Sequence, residues 1–318
     1  LSISSGTLNF SSGEAISAPT LTVSGGTLTG SDNITVSGLT TFSGGTMSGT
    51  GSTIASGGLT INGSGSTTET LARSLTNAGT ATWSGVNTIT INTPGLLTNQ
   101  AGATFNIQND QSIGGSGFFA NAGTVTKSTG TGTTAISTGF ANTGLMDVQS
   151  GTLVLSGGGT STGSFSGTGT LEFGGGAHTL TSTSSITTSN VVFSAGTTDI
   201  AGTYNPTGSS TTASGGTANF TGTVTNVGAL SISSGTLNFS SGEAISASTL
   251  AISGGTLTGT DTVTVTTTTA TGSGLKTIAS SFANTGLVDV QSGTLTISGA
   301  GTSSGRVTVA AGGTLISS

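Results

Sequence analysis

The sequence predicts an all-β fold, a parallel β-helix (β-solenoid) in which the short strands of successive coils stack on one another. Three observations predict it: an exact internal repeat, a period of 20 to 22 residues, and apolar residues that alternate with polar ones. A chain of 318 residues with this period would form roughly 15 coils. We expect almost no helix, because glycine-rich corners recur too often and no 3.6-residue apolar rhythm occurs.

The repeat is visible in two independent markers. Residues 1–18 recur letter for letter at 230–247, and the phrase Phe-Ala-Asn-x-Gly starts at Phe119, Phe140 and Phe282. Gly-Thr-Leu triplets also occur in pairs whose members are 20 residues apart. A fixed period of this length is typical of solenoids, in which each repeat buries its apolar face only against its neighbours.

Within a repeat, the apolar residues have a period of two. Leu230 and Ile232, and after a Ser-Gly corner Leu237 and Phe239, point to one side, while Ser, Thr and Asn occupy the other parity. This alternation indicates half-buried strands. It also argues against a disordered linker, which the Gly, Ser and Thr bias would otherwise suggest.

Stacked coils place like residues above one another, so the period predicts two neighbouring columns. The apolar column holds Leu75, Leu97, Phe119 and Phe140. The polar column holds Asn77, Asn99, Asn121 and Asn142. Asparagines at this pitch can hydrogen-bond each other's amides along the stack. We interpret both columns as structural and not as a ligand site.

The chain is expected to form one solenoid domain over residues 1–318, because no linker or composition shift is visible. It starts and stops in mid-repeat and has no recognisable polar cap. The sequence therefore predicts either a segment of a longer repeat protein or a subunit that associates end to end or laterally with itself.

Composition excludes several partners. Only 4% of residues are charged, and the four basic residues are scattered, which argues against nucleic-acid binding. These basic residues are Arg73, Lys127, Lys276 and Arg306. The chain has no cysteine, so it has no disulfide and no thiolate metal site. The sequence contains no run of 18 apolar residues, so no membrane-spanning helix is predicted.

Parallel β-helices include polysaccharide-cleaving enzymes, which need convergent carboxylates. The acidic residues here do not converge in sequence, and several are copied with their repeat. The copied pairs are Glu14 with Glu243, Asp32 with Asp261, and Asp147 with Asp289. Copied acids are expected to be solvated outward positions. The sequence therefore predicts no enzyme, no cofactor and no metal site.

Histidine, tryptophan and tyrosine occur once each, and we expect structural roles for His178 and Trp83. His178 follows Gly174-Gly-Gly-Ala and is expected in an exposed corner, without the second histidine or cysteine that a metal site would need. Trp83 has the parity of Ala81, so we expect burial rather than stacking on a sugar. Tyr204 is also the only residue of its type.

Outward Thr-x-Thr pairs raise a hypothesis of ice binding, because stacked methyl and hydroxyl groups can order water. These pairs are Thr27/Thr29, Thr80/Thr82, Thr124/Thr126, Thr256/Thr258, Thr262/Thr264 and Thr294/Thr296. Threonine is also the usual polar residue of exposed strands. The pairs are not evenly spaced, and the column of Thr126 is expected to continue as Asp147.

The phrases at 140–157 and 282–299, Phe-Ala-Asn-Thr-Gly-Leu-(Met/Val)-Asp-Val-Gln-Ser-Gly, resemble the repeats of very large bacterial surface proteins. These include filamentous-haemagglutinin-like adhesins and autotransporter passengers with β-strand repeats. The resemblance implies a right-handed parallel β-helix, export to the cell surface, and a role in adhesion or matrix building.

The sequence thus predicts an extracellular structural rod or fibre of a bacterial cell surface or matrix. An adhesin that binds a glycan or a surface receptor is the main alternative. Ice binding and polysaccharide cleavage are minor alternatives.

Overall fold

The computed structural model describes residues 1–65, 67–208 and 210–318, and the chain divides into two compact units, Leu1–Gly169 and Thr170–Ser318. Both units are β-solenoids of parallel strands, with about 16 turns in total. No helix occurs in the described residues. The predicted all-β parallel β-helix is therefore confirmed. One domain over residues 1–318 stays a prediction.

The first unit is a succession of short strands separated by corners. Its strands are β1 (Ser2–Ile3), β2 (Thr7–Phe10), β3 (Ile16–Ala18), β4 (Leu21–Gly30), β5 (Ile34–Val36), β6 (Thr40–Ala55), β7 (Leu59–Ile61), β8 (Glu69–Asn77), β9 (Thr80–Trp83), β10 (Ile89–Ile91), β11 (Leu96–Asn99), β12 (Thr104–Ile107), β13 (Ile113–Gly114), β14 (Phe118–Asn121), β15 (Thr124–Lys127), β16 (Thr133–Ile136), β17 (Gly139–Asn142), β18 (Leu145–Val148), β19 (Thr152–Leu155), β20 (Gly159–Ser161) and β21 (Ser164–Ser166).

Each turn of the first unit contributes one segment to each of three parallel stacks. The first stack contains β1, the start of β4, the start of β6, β7, β9, β12, β15, β18 and β21. The second contains β2, the end of β4, the middle of β6, the start of β8, β10, β13, β16 and β19. The third contains β3, β5, the ends of β6 and β8, β11, β14, β17 and β20.

The second unit has the same three-stack organisation. Its strands are β22 (Thr170–Leu180), β23 (Ser185–Ile186), β24 (Asn190–Ile200), β25 (Thr203–Tyr204), β26 (Ser210–Phe220), β27 (Ala229–Phe239), β28 (Ile245–Ile252), β29 (Gly255–Thr258), β30 (Val263–Ala270), β31 (Leu275–Ile278), β32 (Phe282–Ile297), β33 (Gly301–Ser303) and β34 (Arg306–Ser317). Long strands such as β22, β24 and β26 pass through one corner and take part in two stacks.

The core lies inside the stacks, because inward residues alternate with outward ones along the straight segments between corners. One inward column of the first unit consists of Val23, Phe42, Ile61, Trp83, Ile107, Lys127 and Val148. All seven are fully buried. Burying an apolar side chain of this size contributes about 1.5–3 kcal/mol.

Corners bring successive backbones very close together. At Gly26, which has a φ of +64°, an added Cβ would lie 2.5 Å from the carbonyl oxygen of Gly6 in the preceding turn. Only glycine fits there, because the left-handed backbone and the neighbouring carbonyl both exclude a side chain.

Candidate functional site

The third stack of the first unit brings together all eight residues of the two predicted columns. Leu75, Leu97, Phe119 and Phe140 are paired in successive turns, and so are Asn77, Asn99, Asn121 and Asn142. All eight side chains are buried. The Phe119 ring also packs at a tilt against Phe105 of the first stack and against Phe140, with centroids 5.5 and 5.6 Å apart.

The four asparagines form a continuous asparagine ladder, Asn77 to Asn142. The Nδ2 group of each of the first three donates to Oδ1 of the next, and all three bonds are 2.8 Å long. The same Nδ2 groups also donate to the backbone oxygens of Thr104, Thr124 and Leu145, at 2.9 to 3.0 Å. The ladder therefore joins turn to turn, and its amide groups point inward rather than toward a ligand.

Three of the four basic residues are buried, which the sequence interpretation missed. The first is Arg73, which is 1% exposed on β8. Its Nη2 donates to the backbone oxygens of Asp32 and Ser52, at 3.0 and 3.2 Å, and Nη1 donates to that of Ser48, at 3.3 Å. Burial lowers the pKa of the guanidinium. Arg73 thus binds carbonyl groups of the two preceding turns.

Lys127 occupies an otherwise apolar inward column, and its head group ends at a corner. Its Nζ donates to Oδ1 of Asp110 at 2.7 Å and to the backbone oxygens of Asn109 and Thr129, at 3.1 and 3.2 Å. The bond from Lys127 lowers the pKa of the Asp110 carboxyl. This is the one ion pair among the described residues.

Lys276 has a similar role in the second unit without an acidic partner. Its Nζ donates to the backbone oxygens of Gly272, Gly274 and Ser292, at 2.7, 2.8 and 3.2 Å. Burial lowers the pKa of this amine. Each buried cation therefore donates to several backbone carbonyl groups at or beside a corner.

For two of the copied acids, the prediction of an outward, solvated position is wrong. Asp32 was expected to be outward and solvated, but it is only 5% exposed and accepts bonds from the Ser12 backbone N–H, the Ser12 hydroxyl and the Gly13 N–H, at 2.8 to 3.0 Å. The Ser12 N–H is the main cause that lowers the pKa of Asp32. Asp261, 4% exposed, makes the same three contacts with Ser241 and the following residue. Both carboxylates cap the corner of the preceding turn.

The other copied acids lie toward solvent. Glu14 is exposed, and Glu243, Asp147 and Asp289 are partly exposed. Asp147 and Asp289 each accept a 2.8 Å bond from the glutamine two residues later. Each also accepts a bond from a hydroxyl of the following turn, Ser166 for Asp147 and Thr308 for Asp289, at 3.1 and 2.6 Å. These copies therefore hold outward polar positions with neutral partners.

Glu69 is a buried carboxyl group beside a corner. It is 1% exposed, and no hydrogen bond of good geometry reaches either oxygen from the described residues. Burial raises the pKa of Glu69, and the nearby Gly63 backbone and Asn87 amide offset this effect in part. The protonated form is therefore favoured relative to a solvated glutamate.

His178 was expected in an exposed corner, and this prediction is wrong. It is 4% exposed on β22, and its ring packs edge-on against Phe173 with centroids 5.1 Å apart. Trp83 is fully buried as expected. Tyr204 is also fully buried, its hydroxyl lies 2.7 Å from Oγ1 of Thr211, and burial raises its pKa.

The outward faces carry continuous columns of threonine. In the second unit, one column consists of Thr197, Thr217, Thr236, Thr256, Thr277 and Thr296. The neighbouring column contains Asp199, Asn219, Asn238 and Thr258. In the first unit, Thr126 is followed by Asp147, as expected.

No group of three metal-ligating side chains occurs in the described parts of the chain, and within them no helix is long and apolar enough to cross a membrane. No protein-family model, curated protein or solved structure matches this chain.

Proposed function

We propose that this chain is a structural repeat protein of a bacterial cell surface or extracellular matrix, where it acts as a stalk or fibre. The proposal rests on one observation: six side chains of types that often take part in binding or catalysis are buried in this chain. They are Arg73, Lys127, Lys276, His178, Trp83 and Tyr204. The three cations bind backbone carbonyls, so these residues stabilise turns instead of facing a substrate.

The geometry suits mechanical load because the ties between turns are distributed along both units. Backbone pairing, the asparagine ladder and the corner cations all connect a turn to its near neighbours. In such a solenoid, stability is a sum of local terms, so no single contact carries the whole load. Under a stretching force, a stalk of this kind would unfold one turn at a time.

The location outside a bacterial cell rests on two supports. The phrases at 140–157 and 282–299 resemble repeats of large bacterial surface proteins, and a chain without cysteine does not depend on the redox state of its compartment. Adhesion to a glycan or surface receptor is the alternative role at the same location.

Labelling and proteolysis of intact producing cells test the proposed location. Antibodies against the chain should decorate intact cells or their matrix, and external protease should remove the signal. Signal that appears only after cell lysis would contradict the proposal. Saturable binding to one glycan or receptor, lost on changing one surface loop, would favour the adhesin.

Single-molecule stretching tests the mechanical role. Release of one turn of about 20 residues should lengthen the chain by roughly 70 Å, so the force trace should show steps near that size. One all-or-none event for a whole unit would contradict turn-by-turn yielding.

Ice binding is the second candidate, because the threonine column from Thr197 to Thr296 is uninterrupted over six turns. Stacked strands repeat at about 4.8 Å, which produces a regular row of methyl and hydroxyl groups. Thr236→Lys should abolish any shaping of ice crystals, whereas Thr126→Lys in the first unit should not. Unchanged ice growth with the unsubstituted chain would eliminate this candidate.

A further inference from the structure

One of the three parallel stacks of the second unit is interrupted. The other two pair without a break from β22 to β32, through β24, β26, β27 and the strands that follow them. The interrupted stack contains β23, β25 and the starts of β28, β30 and β32. Between β25 and β28, its only backbone pairing in the described residues is a single bridge from Tyr204 to Val224.

The segment that forms this bridge bonds to the turn before it but not to the turn after it. The Tyr204 N–H donates to the Thr223 carbonyl at 2.8 Å, and the Thr225 N–H donates to the Tyr204 carbonyl at 3.1 Å. No backbone hydrogen bond joins residues 223–228 to residues 243–247, all of which the structure describes. We call this break the ladder gap. The start of β28 therefore pairs on one side only, with β30.

A difference in segment length explains the ladder gap. Three successive segments connect the same two columns of paired residues: 201–210, 221–229 and 240–249. The first and third have ten residues, whereas the middle one has nine. Because a shift of one residue turns every side chain of a strand to the opposite face, the middle segment cannot stay in register with both neighbours. It keeps the register of the preceding turn at Val224 and loses that of the following turn.

A carboxylate bridges the ladder gap in place of a backbone pair. The Val224 N–H donates to Oε2 of Glu243 in the following turn, at 2.6 Å. Among the described residues, this is the one hydrogen bond that crosses the ladder gap. A small cleft lies beside it, lined by Val227, Ala244 and Ile245 among others. Bonds to a carboxylate are stronger than bonds between neutral groups, so Glu243 takes over part of the role of the missing backbone bonds.

We propose that the second unit opens first at the ladder gap, and that the Glu243 carboxylate is the latch that holds the gap closed. Opening separates residues 223–228 from residues 243–247 while the two continuous stacks stay paired. Segments with few hydrogen bonds to their neighbours need the least free energy to open, and the ladder gap is crossed by a single bond. This inference rests on the proposed stalk role and deepens it, because it names the turn at which the second unit extends first under load.

Hydrogen exchange of the whole chain, measured by mass spectrometry, tests the proposal. In the unsubstituted chain, residues 223–228 should exchange their amide hydrogens faster than residues 263–265, which pair with strands on both sides. Glu243→Ala removes the latch and should speed exchange at the Val224 amide by about tenfold or more. Glu243→Gln keeps a neutral oxygen acceptor, so its effect should be smaller. Neither variant should change the exchange of residues 263–265.

The matched control is Asp199→Ala. It also removes a carboxylate that accepts a bond from the next turn, from the Asn219 amide at 2.7 Å, but the backbones of these two residues are paired. Exchange of residues 223–228 should be the same in this control as in the unsubstituted chain. Equal exchange of 223–228 and 263–265 in the unsubstituted chain, or an unchanged Val224 amide in Glu243→Ala, would overturn the proposal. Labelling of intact cells is independent of this result, so the latch and the proposed function can fail separately.

Discussion

Replacing Asn121 by alanine removes the middle of the asparagine ladder. The substitution deletes the bond accepted from Asn99 and those donated to Asn142 and the Leu145 carbonyl, at 2.8, 2.8 and 3.0 Å. A typical intramolecular hydrogen bond contributes about 1 kcal/mol net, and a buried acceptor left unpaired adds to the loss. We therefore expect the free energy of unfolding to fall by about 3–4 kcal/mol.

Urea unfolding followed by the fluorescence of Trp83 measures this loss. Trp83 is the only tryptophan and is buried in the same unit, so it reports local unfolding even if the two units unfold separately. The matched control is Asn106→Ala, which removes an outward, partly exposed amide and should cost less than about 0.5 kcal/mol. If the two variants differed by less than about 1 kcal/mol, the ladder would not stabilise the fold as argued.

Three further substitutions probe the other buried groups of the first unit. Phe140→Asp places an unpaired charge in the apolar column and should cost several kcal/mol in urea unfolding, whereas Thr126→Ser outside should change little; equal effects would contradict the inward assignment. Asp32→Asn should make the free energy of unfolding depend less on pH in the acid range. The folded pKa of Asp32 lies below the usual 3.8, so the carboxylate stabilises the fold above that pH and loses this effect as pH falls through the folded value. Urea unfolding at a series of pH values from 2 to 6 measures the difference. An unchanged dependence on pH in this range would refute this assignment. In the unsubstituted chain, stability should fall as pH rises above about 4.5, because the raised pKa of Glu69 makes its ionisation in the folded state unfavourable. Glu69→Gln should remove this fall. Parallel curves of stability against pH for the two proteins would contradict the prediction.

The two columns were predictable from sequence because the repeated phrases indicate which residues of successive turns pair with each other. Phe119-Ala-Asn121 and Phe140-Ala-Asn142 share one spacing, and parallel stacking at constant period must place them above one another. His178 had a usable signal too: it has the parity of the buried Leu180 on the same strand. The glycines before it do form a corner within β22, but the buried parity changes there, and a new inward alternation begins at His178.

The corner contacts were not predictable in the same way. Arg73 and Lys127 do not recur at the equivalent positions of neighbouring turns, so no repeat identifies their contacts. Asp32 lies in a bend, where alternation no longer decides which way a side chain points. One signal was present: in both copies the acid follows the Ser-Gly corner that it caps by 20 residues, as Asp32 follows Ser12.

The bonds of the asparagine ladder all run in one direction along the chain. The side-chain oxygens of Asn99, Asn121 and Asn142 each accept a bond from the asparagine of the turn before. The nitrogens that donate these bonds also donate to backbone oxygens such as that of Thr124, which enforces this orientation. The side-chain dipoles therefore add head to tail, and such alignment strengthens each bond. Rotating one amide by 180° would set nitrogen against nitrogen on one side and oxygen against oxygen on the other. The four amides must therefore keep or reverse their orientation together, so this part of the solenoid has an intrinsic polarity.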